Sequence, residues 1–173
     1  SQTIGLNRGL EALVKAMQFL NDTTIKLTLA GRCDKDFLHY VKSHASELTS
    51  SINFVGLVQP EKLPEFSAQF DVGLALEATS PENRDLCLTN KIFTYLLAGN
   101  AIILSETSMQ SAFNNKYNVG ETFAVDAIEK LAETIKGYKN VKKLNAQKLH
   151  NYKLAKLQLN WEQESKKLLS ILD

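Results

Sequence analysis

Four short apolar runs, set apart by stretches of helical spacing, limit what this chain can fold into. They are Ile25–Ala30 (IKLTLA), Ile52–Val55 (INFV), Val72–Leu76 (VGLAL) and Ala101–Leu104 (AIIL). Each is long enough for a strand and too short for a helix. Gly31 and Gly56 close the first two, where a chain turns. Runs this apolar mark strands buried on both faces, and their alternation with helices predicts a parallel sheet covered by helices on both sides, the doubly wound α/β class. In such sheets ligands bind beyond the carboxyl ends of the strands, at helix N-termini. The rim loops are then 1–8, 31–35, 56–61, 77–91 and 105–109.

The helices between the strands are legible from spacing and caps. Leu10, Leu13, Val14, Met17 and Leu20 define one, with Asn7 as its expected cap, and Phe37, Leu38 and Val41 a second, opened by Asp34. Residues 60–68 read as a short helix strained by Pro64. The clearest runs from Asn90 to Gly99 (NKIFTYLLAG). Thr89 is its expected cap, Ile92, Phe93, Leu96 and Leu97 its apolar face, and Gly99 its left-handed stop. Residues 107–115 read as a short helix and 120–125 as a last strand. Beyond Asp126 the chain reads as helix to the end, broken near Gly137-Tyr138 and Asn160-Trp161. The expected units are a domain over 1–135 and C-terminal helices over 136–173 that pack on it.

With 173 residues, 44% of them hydrophobic and 23% charged, the chain suits one soluble domain with a helical appendage. A net charge of +1 calls for no nucleic acid, but from Lys136 onward nine lysines face Glu162, Glu164 and Asp173. That basic tail is a solvated helical face or a surface for a partner domain or an anionic membrane. Cys33 and Cys87 are too few for a disulfide scaffold and have no metal-ligand spacing. Neither a membrane-length run nor a signal peptide is visible. The expected setting is the cytoplasm, with contact at the inner membrane face as an option. The chain opens at Ser1 directly on an ordered pattern and reads as a piece of something longer.

Among candidate site residues, Arg8 and Lys91 stand out, each at the start of a helix on the same rim. Two cations with free helix N–H groups suit a diphosphate. Asn90 orients a phosphate or assists the cap, and Thr94, one turn on, can bond a ligand hydroxyl. Gly5 lets the first rim loop turn, and the Leu57-Val58 backbone is placed to meet a nucleobase. Glu77, Glu82 and Asp85 are rim acids for sugar hydroxyls or general acid–base work, or else solvated. No histidine pairs with a serine or cysteine as in a hydrolase, and no phosphate-loop lysine or dinucleotide glycine motif occurs.

The ordered set RGLEALVKAMQFL, IKLTLAGRC, INFVGLV, FDVGLAL and LTNKIFTYLLAGNAIILSE resembles the C-terminal half of GT-B-fold, group 1 (family 4-like) glycosyltransferases, over residues 1 to about 125. The resemblance implies a Rossmann-like domain that binds a nucleoside diphosphate sugar, with no cofactor or metal. It places Arg8 at the donor diphosphate, the Asn90-Lys91 helix at the donor, and the loop after Gly56 at the base. It further implies a second, acceptor-binding domain, absent here, without which the chain is inactive. The expected reaction is sugar transfer to a glycan or lipid-linked acceptor, as in polysaccharide biosynthesis. The alternatives are a sugar-nucleotide epimerase half of the same fold, or a module that has lost its site. One departure favours the last: the family's two glutamates, separated by seven residues, fall here on Leu86 and Thr94.

Overall fold

The structure is a computed structural model that describes residues 3–172. Ser1 and Gln2, expected at the end of a strand that leads into the rim loop over 1–8, and the terminal Asp173 lie outside the described residues. In chain order the strands are β1 (Thr3–Ile4), β2 (Leu27–Leu29), β3 (Arg32–Cys33), β4 (Ile52–Phe54), β5 (Val72–Ala75), β6 (Ala101–Ser105) and β7 (Gly120–Phe123). The helices are α1 (Leu10–Leu20), α2 (Lys35–His44), α3 (Leu63–Ser67), α4 (Glu82–Asp85), α5 (Asn90–Ala98), α6 (Ser108–Tyr117), α7 (Ile128–Gly137), α8 (Val141–Leu157) and α9 (Trp161–Leu172).

Every strand pair is parallel, as the apolar runs predict, but the ladder is in three pieces: β1 with β3, β2 with β4, and β5–β6–β7. The break between the first two pieces lies at Gly31, expected to open a rim loop. Its φ of 147° bends the chain between β2 and β3, and its N–H donates to the Gly56 carbonyl at 2.6 Å. The chain before the bend pairs with β4, and the chain after it with β1. The expected loop over 31–35 therefore contains a strand.

Alternation along β6 shows both faces of the sheet covered. Ala101 and Ile103 join the core formed with Leu13, Val14 and Met17 of α1, Phe37 of α2 and Leu131 of α7. Ile102 and Leu104 join Ile92 and Leu96 of α5, Phe113 of α6 and Leu154 of α8. Helix α8 of the tail thus packs into this second core. Asn151 of α8, fully buried, donates through Nδ2 to the carbonyls of Asn100 and Val119, both at 2.7 Å. Tail lysines also pair with acids of the domain: Lys139 with Asp22, Lys143 with Glu121 and Lys148 with Asp71.

Three expected side-chain caps are not made. Asn7 takes a left-handed conformation (φ 59°), and Gly9 (φ 76°) is the residue that opens α1. The Asp34 carboxylate makes no cap bond to α2 and lies against Gly5. Thr89 precedes α5, but its hydroxyl is buried without a partner. Gly99 (φ 70°) ends α5 as its sequence predicts, while Leu97, expected in the core, is half exposed. Among the described residues no helix is long and apolar enough to cross a membrane.

Candidate functional site

The site is built on the chain just past β5. Leu76 is buried and Glu77 half-buried. Two helix starts converge there. A Cβ placed on Gly9 would lie 3.2 Å from Leu76 Cβ and 3.8 Å from the Glu77 nitrogen, so the first turn of α1 rests on this segment. Glycine is needed because φ is positive and space is short. From the other side Lys91, in the first turn of α5, donates through Nζ to the Leu76 carbonyl at 2.8 Å and lies 2.6 Å from Glu77 Oε1. The N–H groups of both helix starts thus face one rim, with exposed Arg8 directly before Gly9.

The structure brings Lys91 and Glu77 together, leaves exposed Arg8 one residue before the Gly9 that rests on the same segment, and gives Lys91 a role its sequence does not show. The side chain turns back onto β5 and onto an acid rather than standing free. An ammonium carries three donors, so one remains for a ligand. Asn90 is exposed beside it. Thr94, half-buried, donates its hydroxyl to the Asn90 carbonyl at 3.1 Å, the back-bond of a helical threonine, and keeps its lone pairs for a ligand donor. Gly5 is buried on the same loop as Arg8, but a Cβ there would lie 2.5 Å from Asp34 Oδ2, so its smallness admits that carboxylate. Exposed Leu57 and half-buried Val58 sit past β4, on the same rim.

The long loop 77–89 is more ordered than its polar sequence suggests. After Pro81 it makes α4, and two consecutive residues at the end of that turn, Arg84 and Asp85, reach different loops of the rim. Arg84 Nη1 donates to the Asn7 carbonyl. The Asp85 carboxylate accepts the Ser108 N–H at 3.0 Å and the Ser108 hydroxyl, closing the start of α6. These bonds, hydroxyl first, hold the Asp85 carboxyl below the usual aspartate range. Glu77 N–H donates to Ser105 Oγ at 3.0 Å, joining the ends of β5 and β6. Of the three rim acids, Glu77 therefore holds Lys91, Asp85 holds α6, and Glu82 is exposed. An epimerase base is not favoured, since two of its three candidates are engaged. Among the described residues no group of acids, histidines and cysteines is placed to hold a metal.

Arg84, Ser105 and Ser108 escape a sequence reading. The sole local signal is Pro81 before a polar stretch, a helix-start pattern too short to weigh.

By sequence, no protein-family profile and no curated protein matches the chain. In three dimensions it is similar to solved glycosyltransferases. HepE of Anabaena, in complex with UDP, superposes with a TM-score of 0.77 at 15% identity over 98% of this chain and 46% of that one. LpcC of Francisella tularensis, the C-terminal domain of a group 1 family glycosyl transferase, gives 0.70 at 12% identity over 92% and 83%. WaaG, a glycosyltransferase involved in lipopolysaccharide biosynthesis, gives 0.66 at 14% identity over 90% and 42%. The chain has the fold of a GT-B C-terminal domain, the Rossmann-like half that its sequence resembles. It spans less than half the length of the HepE and WaaG chains.

Proposed function

We propose that the chain is the donor-binding domain of a glycosyltransferase. It holds a nucleoside diphosphate sugar while a second domain presents a glycan or lipid-linked acceptor. The observation that carries this reading is the convergence of two helix starts and the Lys91 ammonium on Leu76–Glu77, with Arg8 directly before the first of those helix starts. Helix N-termini and charged donors aimed at one place stabilise the charge that grows on a leaving diphosphate. Arg8 and Lys91 supply that charge without a metal. Thr94 and Asn90 meet the ribose or sugar side, and Leu57-Val58 the base. Solved neighbours in complex with UDP or UDP-glucose support a nucleotide sugar as the ligand.

Transfer belongs to the longer protein, and the isolated chain binds donor without turning it over. Calorimetric titration with UDP, GDP and ADP tests the reading: at least one binds, and Arg8→Ala weakens it about tenfold, the worth of one charged hydrogen bond. No heat with any of the three would remove the proposal.

Contact of α8 with an anionic membrane falls to Lys142, Lys153 and Lys156, since Lys143 and Lys148 of the same helix hold acids of the domain. Replacing these three would then reduce binding to phosphatidylserine vesicles.

A further inference from the structure

The two peptides that flank Asn7, directly before Arg8, are each held by a residue with no assigned role: the Leu6–Asn7 peptide by Glu11 and the Asn7–Arg8 peptide by Arg84. Asn7 stands in the left-handed region, where a residue other than glycine is held at a cost. Its N–H donates to Glu11 Oε1 at 2.5 Å, and its carbonyl accepts from Arg84 Nη1. Glu11 lies in the first turn of α1; Arg84 reaches over from α4, 77 residues on in sequence. In a trans peptide the C=O and the next N–H point in opposite directions. Fixing the Asn7 carbonyl toward Arg84 therefore turns the Arg8 N–H away from it. Gly9 follows at φ 76°, so both peptides before α1 are oriented before any ligand arrives. The remaining tie of the same turn, Asp85 to Ser108, anchors Arg84's end of this grip to α6.

We infer that Arg84 and Glu11 are positioning residues: Arg84 holds the Asn7–Arg8 peptide and Glu11 the peptide before it, fixing the backbone on both sides of Asn7 so that the Arg8 N–H and side chain meet the diphosphate of the ligand. This rests on the donor-binding reading above. The preset orientation lowers the ordering cost of binding, and it acts on the phosphate end alone.

The test compares a nucleoside diphosphate with its parent nucleoside, using whichever of UDP, GDP and ADP binds. Arg84→Met and Glu11→Leu each weaken the diphosphate about tenfold, one hydrogen bond's worth of orientation. Affinity for the nucleoside stays put, a split that general loss of structure would not produce. Glu11→Gln restores binding, because its amide oxygen still accepts from Asn7. Gln and Leu both lack the charge, so their difference reports the hydrogen bond. Arg84→Lys, which keeps one donor, restores part. The inference is overturned if Arg84→Met and Glu11→Leu bind the diphosphate like the unsubstituted chain, or lose nucleoside in proportion. If the unsubstituted chain prefers no diphosphate over its nucleoside, the donor reading fails and takes this inference with it.

Discussion

Lys91 Nζ lies between the Leu76 carbonyl at 2.8 Å and Glu77 Oε1 at 2.6 Å, so the most prominent cation of the candidate site is also a strut of the fold. Lys91→Met removes both bonds. For a pair still in partial contact with water, the cost is about 1 kcal/mol of stability by urea denaturation. Nucleoside diphosphate affinity falls about tenfold in the same variant. Glu77→Gln keeps an acceptor for Lys91 and loses less of either.

Gly9 sets how closely α1 approaches β5. Gly9→Ala puts a methyl 3.2 Å from Leu76 Cβ on a backbone of positive φ. The strained conformation alone costs about 1–2 kcal/mol, readable as a lower denaturation midpoint. Diphosphate affinity drops with it, because the first turn of α1 must back away.

Asp85 gives the rim a pH dependence with a definite sign. Its carboxyl is held low by the Ser108 hydroxyl and N–H. A depressed folded value stabilises the native state above the ordinary aspartate value, about 4. That contribution fades as pH falls through the lower folded value. Asp85→Asn therefore melts below the unsubstituted chain at neutral pH, and the two melting curves draw together in strong acid. A gap that persists unchanged down to pH ~2 would contradict the assignment.

Asn151 tests whether the tail belongs to the domain. Asn151→Ala strips two buried carbonyls of their donor, at a cost of about 2–4 kcal/mol in thermal or urea unfolding. A chain ending at Asn140 exposes the α8 side of the second core and fails to fold cooperatively.

Much of the architecture is readable because single elements obey single rules. AIIL is buried on both faces and is the centre of β6. Gly99 stops α5 where an αL residue is wanted. The tail breaks at Gly137-Tyr138 and Asn160-Trp161 into the helices observed. What fails is anything decided by a distant partner. Gly31 reads as a strand terminator, yet β3 continues past it because β1 offers an edge. Asp34, Thr89 and Asn7 have cap-type side chains, but Gly9 opens α1 in place of Asn7, the Asp34 carboxylate lies against Gly5, and the Thr89 hydroxyl is buried without a partner. In the site, Arg8 and Lys91 are legible as cations at helix starts. The tie of Lys91 to Glu77, and of Arg84 and Asp85 to other loops, exists only once the strands align.

Amide chemical shifts of the labelled chain, followed as UDP, GDP and ADP are added in turn, test the central claim most directly. The account predicts that one nucleotide shifts Arg8, Gly9, Leu10, Asn90 and Lys91 in a saturable way, and that its parent nucleoside leaves Gly9 and Lys91 still while moving the Leu57-Val58 loop. Saturable shifts that avoid both helix starts, or no shifts with any of the three, would contradict it.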